Sequence, residues 1–152
     1  MSEPDRSADA RPRTGMRLNH VGIAVESLAV ASRFWAEAMG LAGGETELVE
    51  GEGIRVRKFP VPGGPAIELM EEAAGEGGVI AKFLAKRGPG VHHLSFEVDD
   101  LDRTIARFRA LGYRTTSEQP RAGAGGARVT FLHPKDAHGV LVELLERPRE
   151  SP

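Results

Sequence analysis

The sequence predicts an α+β fold in which two βαβββ modules pair within one domain. The first observation is a repeated strand pattern. LNHVGIAV at 18–25 recurs as VHHLSFEV at 91–98, so His20 aligns with His93 at an offset of 73 residues. The second is the order of elements, because each copy precedes a helical pattern and then three strand patterns. Each module has an open sheet edge and one apolar face, and pairing buries both.

The composition excludes several classes of function. A chain of 152 residues with 40% hydrophobic and 28% charged residues is typical of one soluble globular domain. Its net charge of -2 gives no electrostatic reason to bind nucleic acid. No apolar run approaches the roughly 20 residues of a membrane span, and the amino terminus lacks the hydrophobic segment of a secretory signal. We therefore predict a cytoplasmic protein with no membrane partner.

Module one is predicted at 16–72, after a flexible tail at 1–15 whose polar, Pro-containing composition leaves little to bury. Ser27 is placed to cap the helix and Gly40 to end it. The predicted elements are a strand at 18–25, a helix at 28–39 and strands at 45–50, 54–60 and 66–70. The helix should turn inward Leu28, Ala31, Phe34, Trp35 and Ala38.

A linker with a short helix at 79–87 is predicted at 73–90, followed by module two at 91–147 and a tail at 148–152. The short helix should bury Ile80, Phe83 and Leu84. Asp99 and Asp100 form an acidic cap before the next helix. The predicted elements of module two are a strand at 91–98, a helix at 101–111 and strands at 113–117, 127–133 and 139–146. Its helix should bury Ile105, Phe108 and Leu111.

Four ionisable residues occupy matched places in the two modules. His20 and His93 lie in the repeated strands, and Glu68 and Glu143 lie in AIELM at 66–70 and VLVEL at 140–144. Alternate side chains of a strand share a face, and the apolar neighbours of all four should pack on the helices. All four then point to the other face, where two carboxylates would repel unless a cation lay between them. The chain has no cysteine, so such a site would use oxygen and nitrogen donors.

The same alternation separates the two adjacent histidines of 91–98. It places His93 with Ser95 and Glu97, and His92 on the opposite face with Leu94 and Phe96. We therefore expect His93, and not His92, to reach the shared site.

Three runs carry a resemblance to a known family: NHVGIAV, IAKFLAKRGPGVHHLSFEVDDLD and, most specifically, GAGGARVTFLHPKDAHGVLVELLE at 123–146. The chain resembles the vicinal oxygen chelate (glyoxalase/bleomycin resistance/dioxygenase) superfamily, and within it the acyl-CoA epimerases. The resemblance implies a curved mixed sheet around a central cleft, a homodimer and an acyl-CoA substrate. It also implies a divalent metal ion, Co²⁺ first, with Zn²⁺, Ni²⁺, Mn²⁺ or Mg²⁺ as alternatives.

The resemblance implies roles for the four residues at the matched places. His20, Glu68, His93 and Glu143 would be the metal ligands, with Glu143 also one catalytic base and Glu68 a ligand or the second base. The reaction would remove the proton next to a thioester and return one to the other face, through a metal-stabilised enolate. Val56 departs from the pattern, because some epimerases of this type have a carboxylate base at that place.

Candidate substrate-binding residues are Arg121, Gly125, Gly126 and Lys135. Backbone N–H groups of the Gly-rich segment could bind a carboxylate or phosphate, although such a segment is more often only a turn. Basic side chains could meet the phosphates of CoA or could simply be solvated. Two alternative functions use the same fold: a glyoxalase-like lyase or isomerase acting on a thiol adduct, and a metal-free protein of the drug-resistance type that only holds a small molecule.

Overall fold

The computed structural model describes residues 15–150, and within them eight strands form one curled mixed sheet. The predicted tails lie outside the described residues at positions 1–14 and 151–152. The strands are β1 Arg17–Ala24, β2 Glu47–Val49, β3 Ile54–Phe59, β4 Ala66–Glu72, β5 Gly90–Glu97, β6 Arg121–Ala122, β7 Arg128–Phe131 and β8 Val142–Glu146. The helices are α1 Leu28–Arg33, α2 Val79–Arg87 and α3 Leu101–Ala110. Within this part of the chain, no helix is both long and apolar enough to cross a membrane.

The strand order confirms the predicted pairing of two modules. The sheet runs β2-β3-β4-β1-β5-β8-β7-β6, so the two halves are arranged alike about the β1–β5 junction. In each half the first strand pairs in parallel with the last, β1 with β4 and β5 with β8. The two repeated strands β1 and β5 pair antiparallel with each other at the centre. Because the repeated histidines lie on these two strands, the junction brings them to one place.

Helices α1 and α3 cover the outer face of the sheet. Beneath α1, Leu28 and Trp35 pack with Val25, Phe59 and Leu69. Under α3, Leu101 and Ile105 pack with Val98, Leu132 and Leu144. Both helices begin at the predicted caps, because the backbone N–H of Val30 donates to Ser27 Oγ at 3.2 Å and that of Arg103 donates to Asp100 Oδ1 at 3.0 Å.

Helix α2 closes one end of the inner face, and its predicted inward residues are the ones that pack there. Ile80, Phe83 and Leu84 pack against Met70 and Val56. Met70 and Val56 lie two residues from Glu68 and Lys58 along their strands, and alternation therefore places this small core beside the inner-face polar residues.

The predicted strand at 113–117 is wrong. This segment makes only an isolated bridge between Thr115 and Leu132, and β6 takes the edge position instead. Side-chain hydroxyls compete with strand pairing here, since Thr115 Oγ1 donates to the carbonyl of Ser117 at 2.7 Å and Ser117 Oγ donates to that of Gln119 at 2.9 Å. Pro120 then offers no N–H to a ladder.

Three predicted inward residues are exposed: Phe34, Ala38 and Leu111. Phe34 is 55% exposed, because the helical ladder changes after α1 to a π-type segment, Phe34–Ala38, which rotates the following side chains. Leu111 is 64% exposed, since α3 ends at Ala110 and Leu111 is its capping residue. The other predicted inward residues named above for these two helices, Leu28, Ala31, Trp35, Ile105 and Phe108, do face their cores.

Candidate active site

Four buried side chains converge on the inner face, one from each matched strand. His20 Nε2 lies 3.1 Å from His93 Nε2, 3.6 Å from Glu68 Oε1 and 3.5 Å from Glu143 Oε1. His93 Nε2 lies 3.9 Å from Glu143 Oε1. All four residues are at most 5% exposed. The predicted quartet is therefore brought together by β1, β4, β5 and β8, and we call it the four-residue cluster.

The orientation of His20 is fixed by its neighbour in sequence. His20 Nδ1 lies 2.7 Å from Asn19 Oδ1, so the Nδ1–H donates to the amide oxygen. This tautomer leaves the lone pair of Nε2 directed at the other three residues of the cluster. A metal ligand needs such a lone pair, and an acceptor on the other ring nitrogen is the usual way to hold it.

The prediction that His92 faces away from His93 is wrong. The Nδ1 atoms of the two rings are 3.0 Å apart, and both residues line one cavity. The pairing of β1 with β5 explains this, because Gly22 pairs with His93 while Ile23 pairs with Val91, which leaves His92 as an extra, bulged residue. The ring of His92 then turns toward α2 and packs on Phe83 at 4.9 Å between centroids.

Each carboxylate of the cluster has its own support. Ser95 Oγ donates to Glu143 Oε1 at 2.7 Å, and the two residues are paired across β5 and β8. Lys58 Nζ lies 3.6 Å from Glu68 Oε2 across β3 and β4. Nevertheless, Glu68 Oε2 is buried without a hydrogen-bond partner among residues 15–150. No sequence pattern indicated a role for Asn19, Ser95 or Lys58, although strand alternation places Ser95 on the same face as His93.

Burial dominates the electrostatics of the cluster. It raises the pKa of Glu143 to about 8, opposed by the hydrogen bond from Ser95 and reinforced by the charge of Glu68. It raises the pKa of Glu68 to about 7, opposed by Lys58. It lowers the pKa of His20 to about 3 and that of His93 to about 2. Both imidazoles are therefore neutral at physiological pH, and either carboxyl can carry a proton near neutral pH that a cation could replace.

The donor set fits a divalent metal ion. His20, Glu68 and His93 each offer a ligand atom, and these three atoms lie within 4.8 Å of one another. Glu143 Oε1 is close to both histidine nitrogens at the distances given above. Two neutral imidazoles and two carboxylates provide the mixed nitrogen and oxygen ligands that first-row divalent ions accept, and the unpartnered Glu68 oxygen is a free donor.

A cavity of about 410 Å³ opens beside the cluster at His93. Its apolar wall includes Met70, Ile80 and Phe131, and its polar groups include Glu52 and Arg121. Glu52 also lines a small void of about 10 Å³ at the cluster itself, together with His20, Glu68 and Glu143. A larger, shallow depression of about 730 Å³ follows residues 109–119, away from the cluster. We take the 410 Å³ cavity as the candidate substrate pocket, because convergent polar groups in an apolar cleft are typical of ligand sites.

The four predicted substrate-binding residues lie in different places, and one of them, Arg121, lines the candidate substrate pocket. Arg121 lines the 410 Å³ cavity. The backbone N–H of Gly125 donates to both carboxylate oxygens of Glu47, at 3.0 and 3.1 Å. Gly126 follows in the same turn with a positive φ of 74°. Lys135 is exposed on the turn between β7 and β8 and is not among the residues that line this cavity or the small void.

The family follows from comparison with known proteins. The profile of the Glyoxalase/Bleomycin resistance protein/Dioxygenase superfamily matches residues 19–131. The chain belongs to this superfamily. The resemblance seen in the sequence motifs is therefore confirmed, and so is the predicted curled mixed sheet of this superfamily.

Several members of the superfamily that are similar to the chain are epimerases of acyl-CoA thioesters. The chain is 40% identical over 130 residues to the ethylmalonyl-CoA/methylmalonyl-CoA epimerase of Cereibacter sphaeroides, which covers 84% of this chain and 96% of that protein. The crystal structure of methylmalonyl-CoA epimerase from Mycobacterium tuberculosis has a TM-score of 0.84 and 43% identity, over 88% of this chain and 89% of that one. A methylmalonyl-CoA epimerase in complex with methylmalonyl-CoA and NH4⁺ has a TM-score of 0.81 and 38% identity, over 90% and 99%.

Proposed function

We propose that the chain interconverts (R)- and (S)-methylmalonyl-CoA by proton transfer at C2. The observation that carries the proposal is the four-residue cluster, because two buried carboxylates and two neutral imidazoles meet beside an apolar cavity. The similarity to epimerases over most of both chains favours this reaction above a glyoxalase-like activity or simple sequestration. The substrate proton is weakly acidic, since its removal leaves an enolate conjugated with the thioester.

We propose further that His20, Glu68, His93 and Glu143 hold one divalent ion, with Co²⁺ as the first candidate. When bound, such an ion stabilises negative charge that develops on substrate oxygens, which contributes several kcal/mol in comparable enzymes. The four side chains supply the nitrogen and oxygen lone pairs that bind the ion. Asn19 fixes the tautomer of His20.

The metal assignment is tested with two adjacent histidines. His93→Ala should abolish binding of Co²⁺ in isothermal titration calorimetry, because it removes a ligand. His92→Ala should retain binding, at an affinity reduced by no more than about 10–100-fold, because His92 only supports the His93 ring. Abolished binding in His92→Ala with normal binding in His93→Ala would contradict the ligand assignment.

Glu143 is proposed as one acid–base group. In the metal-free protein burial raises its pKa to about 8, well above the usual range of a glutamate. The hydrogen bond from buried Ser95 holds Oε1 in place, and leaves the second oxygen to face the reacting carbon. Glu68, paired with Lys58, is assigned to the ligands in this proposal.

The 410 Å³ cavity is proposed to hold the acyl end of the substrate. Its apolar wall excludes water from the enolate, and Arg121 offers a guanidinium for a carboxylate or phosphate oxygen. Gly125 and Gly126 are a second, backbone candidate, since the amide of Gly125 already binds the carboxylate of Glu47. Lys135 stays a prediction from the sequence, as do the homodimer and the cytoplasmic location.

The function is tested by following the C2 hydrogen of methylmalonyl-CoA in D₂O by NMR. The Co²⁺-loaded protein should replace this hydrogen with deuterium and convert one epimer to the other, while lactoylglutathione, a thiol adduct, stays unchanged. No deuterium at C2 with the metal confirmed present would contradict the epimerase proposal, and turnover of lactoylglutathione would support the glyoxalase-like alternative.

A further inference from the structure

We propose that Glu52 is the second acid–base group of this site, exchanging a proton with the substrate carbon on the face that Glu143 does not serve. The inference rests on the proposed epimerase function and assigns a residue to a step that this function requires. An enolate is planar at the reacting carbon, so inversion needs one group on each face. Val56, which lines the small void beside the cluster, is apolar and has no proton to exchange.

The position of Glu52 connects the two parts of the site. It lines both the 410 Å³ cavity and the small void at the cluster, where the other carboxylates are Glu68 and Glu143. Glu52 comes from the β2–β3 turn of module one, whereas Glu143 comes from the last strand of module two. The two groups therefore approach the site from different modules, which allows them to act on opposite faces of a substrate bound between them.

The side chain of Glu52 is half-buried, and one of its carboxylate oxygens makes no hydrogen bond to residues 15–150. Its Oε1 is buried and has no hydrogen-bond partner within the part of the chain that the structure describes. A buried carboxylate oxygen without a partner is costly, and such groups concentrate where chemistry is done. Burial raises the pKa of Glu52, and the positive charge of Arg121 opposes this shift.

The turn that carries Glu52 is firmly held. The N–H groups of Glu52 and Gly53 donate to the carbonyl of Val49 at 3.1 and 2.9 Å. The N–H of Ala73 donates to the carbonyl of Gly53 at 2.9 Å, which ties the turn to the end of β4. Gly53 has a positive φ of 65°, which favours glycine, and a Cβ there would lie 2.7 Å from Ala74 Cβ. The backbone thus fixes the direction in which Glu52 enters the cavity.

The proton transfers balance as follows. With one epimer, the Glu52 carboxylate takes the C2 proton, and the C–H electron pair moves into the thioester to give the enolate. The protonated Glu143 then donates its proton to the opposite face of C2, the enolate pair forms the new C–H bond, and Glu143 becomes a carboxylate. The other epimer reacts with the two roles exchanged. Before another molecule of the first epimer reacts, Glu52 releases its proton to solvent and Glu143 takes one from solvent, so water is the only other reactant.

The test compares Glu52→Gln with Glu50→Gln, an exposed glutamate in the same turn. Glutamine keeps the size of the side chain and cannot accept the proton. We expect Glu52→Gln to interconvert the epimers about 10²–10⁴-fold more slowly, while deuterium still enters C2 of the one epimer that Glu143 deprotonates. Metal content, measured by mass spectrometry, should equal that of the wild type, and Glu50→Gln should behave as wild type in every measurement.

Four results would overturn the assignment. Interconversion by Glu52→Gln at the wild-type rate would show that another group serves the second face. If Glu52→Gln loses deuterium entry equally from both epimers, or loses the metal, Glu52 maintains the structure of the site and does not transfer a proton on one face. If the wild type itself incorporates deuterium into neither epimer, the proposed epimerase function is wrong, and the role of Glu52 is wrong with it. The other results concern Glu52 alone, because they arise in a protein whose wild type is active.

Discussion

Replacing Gly22 by alanine should displace His93 from the cluster. Gly22 pairs with His93 across β1 and β5. A Cβ at Gly22 would lie 2.8 Å from His93 Nε2, and closer still to Cε1 and Nδ1. Non-bonded carbon atoms prefer separations of about 3.5–4.0 Å, so the imidazole would have to move by roughly 1 Å or more. Because both residues are on central strands, the ring and not the backbone should move.

The expected loss is large, since metal ligands tolerate only about 0.2 Å of displacement. A misplacement of about 1 Å typically costs about 10²-fold in function, and we expect Co²⁺ affinity to fall by at least this factor. Overpacking should lower the free energy of unfolding by about 1–3 kcal/mol. Calorimetric titration with Co²⁺ and chemical denaturation measure the two effects.

Gly77→Ala is the matched control for this substitution. A Cβ there would meet no heavy atom of residues 15–150 within 4 Å, and the backbone does not need a positive φ. It should bind Co²⁺ as the wild type does. Wild-type Co²⁺ affinity in Gly22→Ala would refute the reasoning, because it would mean that the position of His93 does not determine metal binding.

The remaining predictions concern the supports and protonation of the cluster. Ser95→Ala removes the donor that lowers the pKa of Glu143, so the acidic limb of the pH–rate profile should move to higher pH, with a loss of about 1 kcal/mol in unfolding free energy. Asn19→Leu removes the acceptor that fixes the His20 tautomer and should weaken Co²⁺ binding by about 10–100-fold in calorimetry; unchanged affinity would mean that the contact does not orient the ring. Burial raises the pKa of Glu68 to about 7 and that of Glu143 to about 8, from the usual 4.5, so the metal-free protein gradually loses the stability contributed by their protonation as the pH rises from about 4.5 to about 8. At higher pH Co²⁺ displaces fewer protons when it binds, so it should stabilise the fold more. The increase in Tm on adding Co²⁺ should therefore be larger at pH 8.5 than at pH 6.5. An equal increase at both pH values would contradict the assigned protonation.

The four-residue cluster could be predicted from the sequence because two periodicities agree. The repeat aligned His20 with His93, and strand alternation placed both on the face opposite their apolar neighbours. Glu68 and Glu143 followed in the same way, from strands that pair in parallel with those of the histidines. Where a strand is regular and one of its faces is buried, the direction of each side chain follows from its position.

Predictions from the sequence were wrong or incomplete where the backbone is irregular. His92 is an extra residue in the β1–β5 pairing, and a bulge has no signature in a run such as VHHLSFEV. Glu52 lies in a turn, where alternation says nothing about direction, and its burial depends on module two closing over it. The segment at 113–117 has strand-forming residues, but local hydroxyl contacts and the following Pro120 prevent a ladder.

The central claim is that residues from both modules bind one metal ion at a single point. Anomalous diffraction from crystals grown with Co²⁺ tests it most directly. We expect one strong anomalous peak enclosed by His20 Nε2, His93 Nε2 and the carboxylates of Glu68 and Glu143. A peak bound elsewhere on the chain, or no peak at this cluster in crystals of protein shown to contain cobalt, would contradict it.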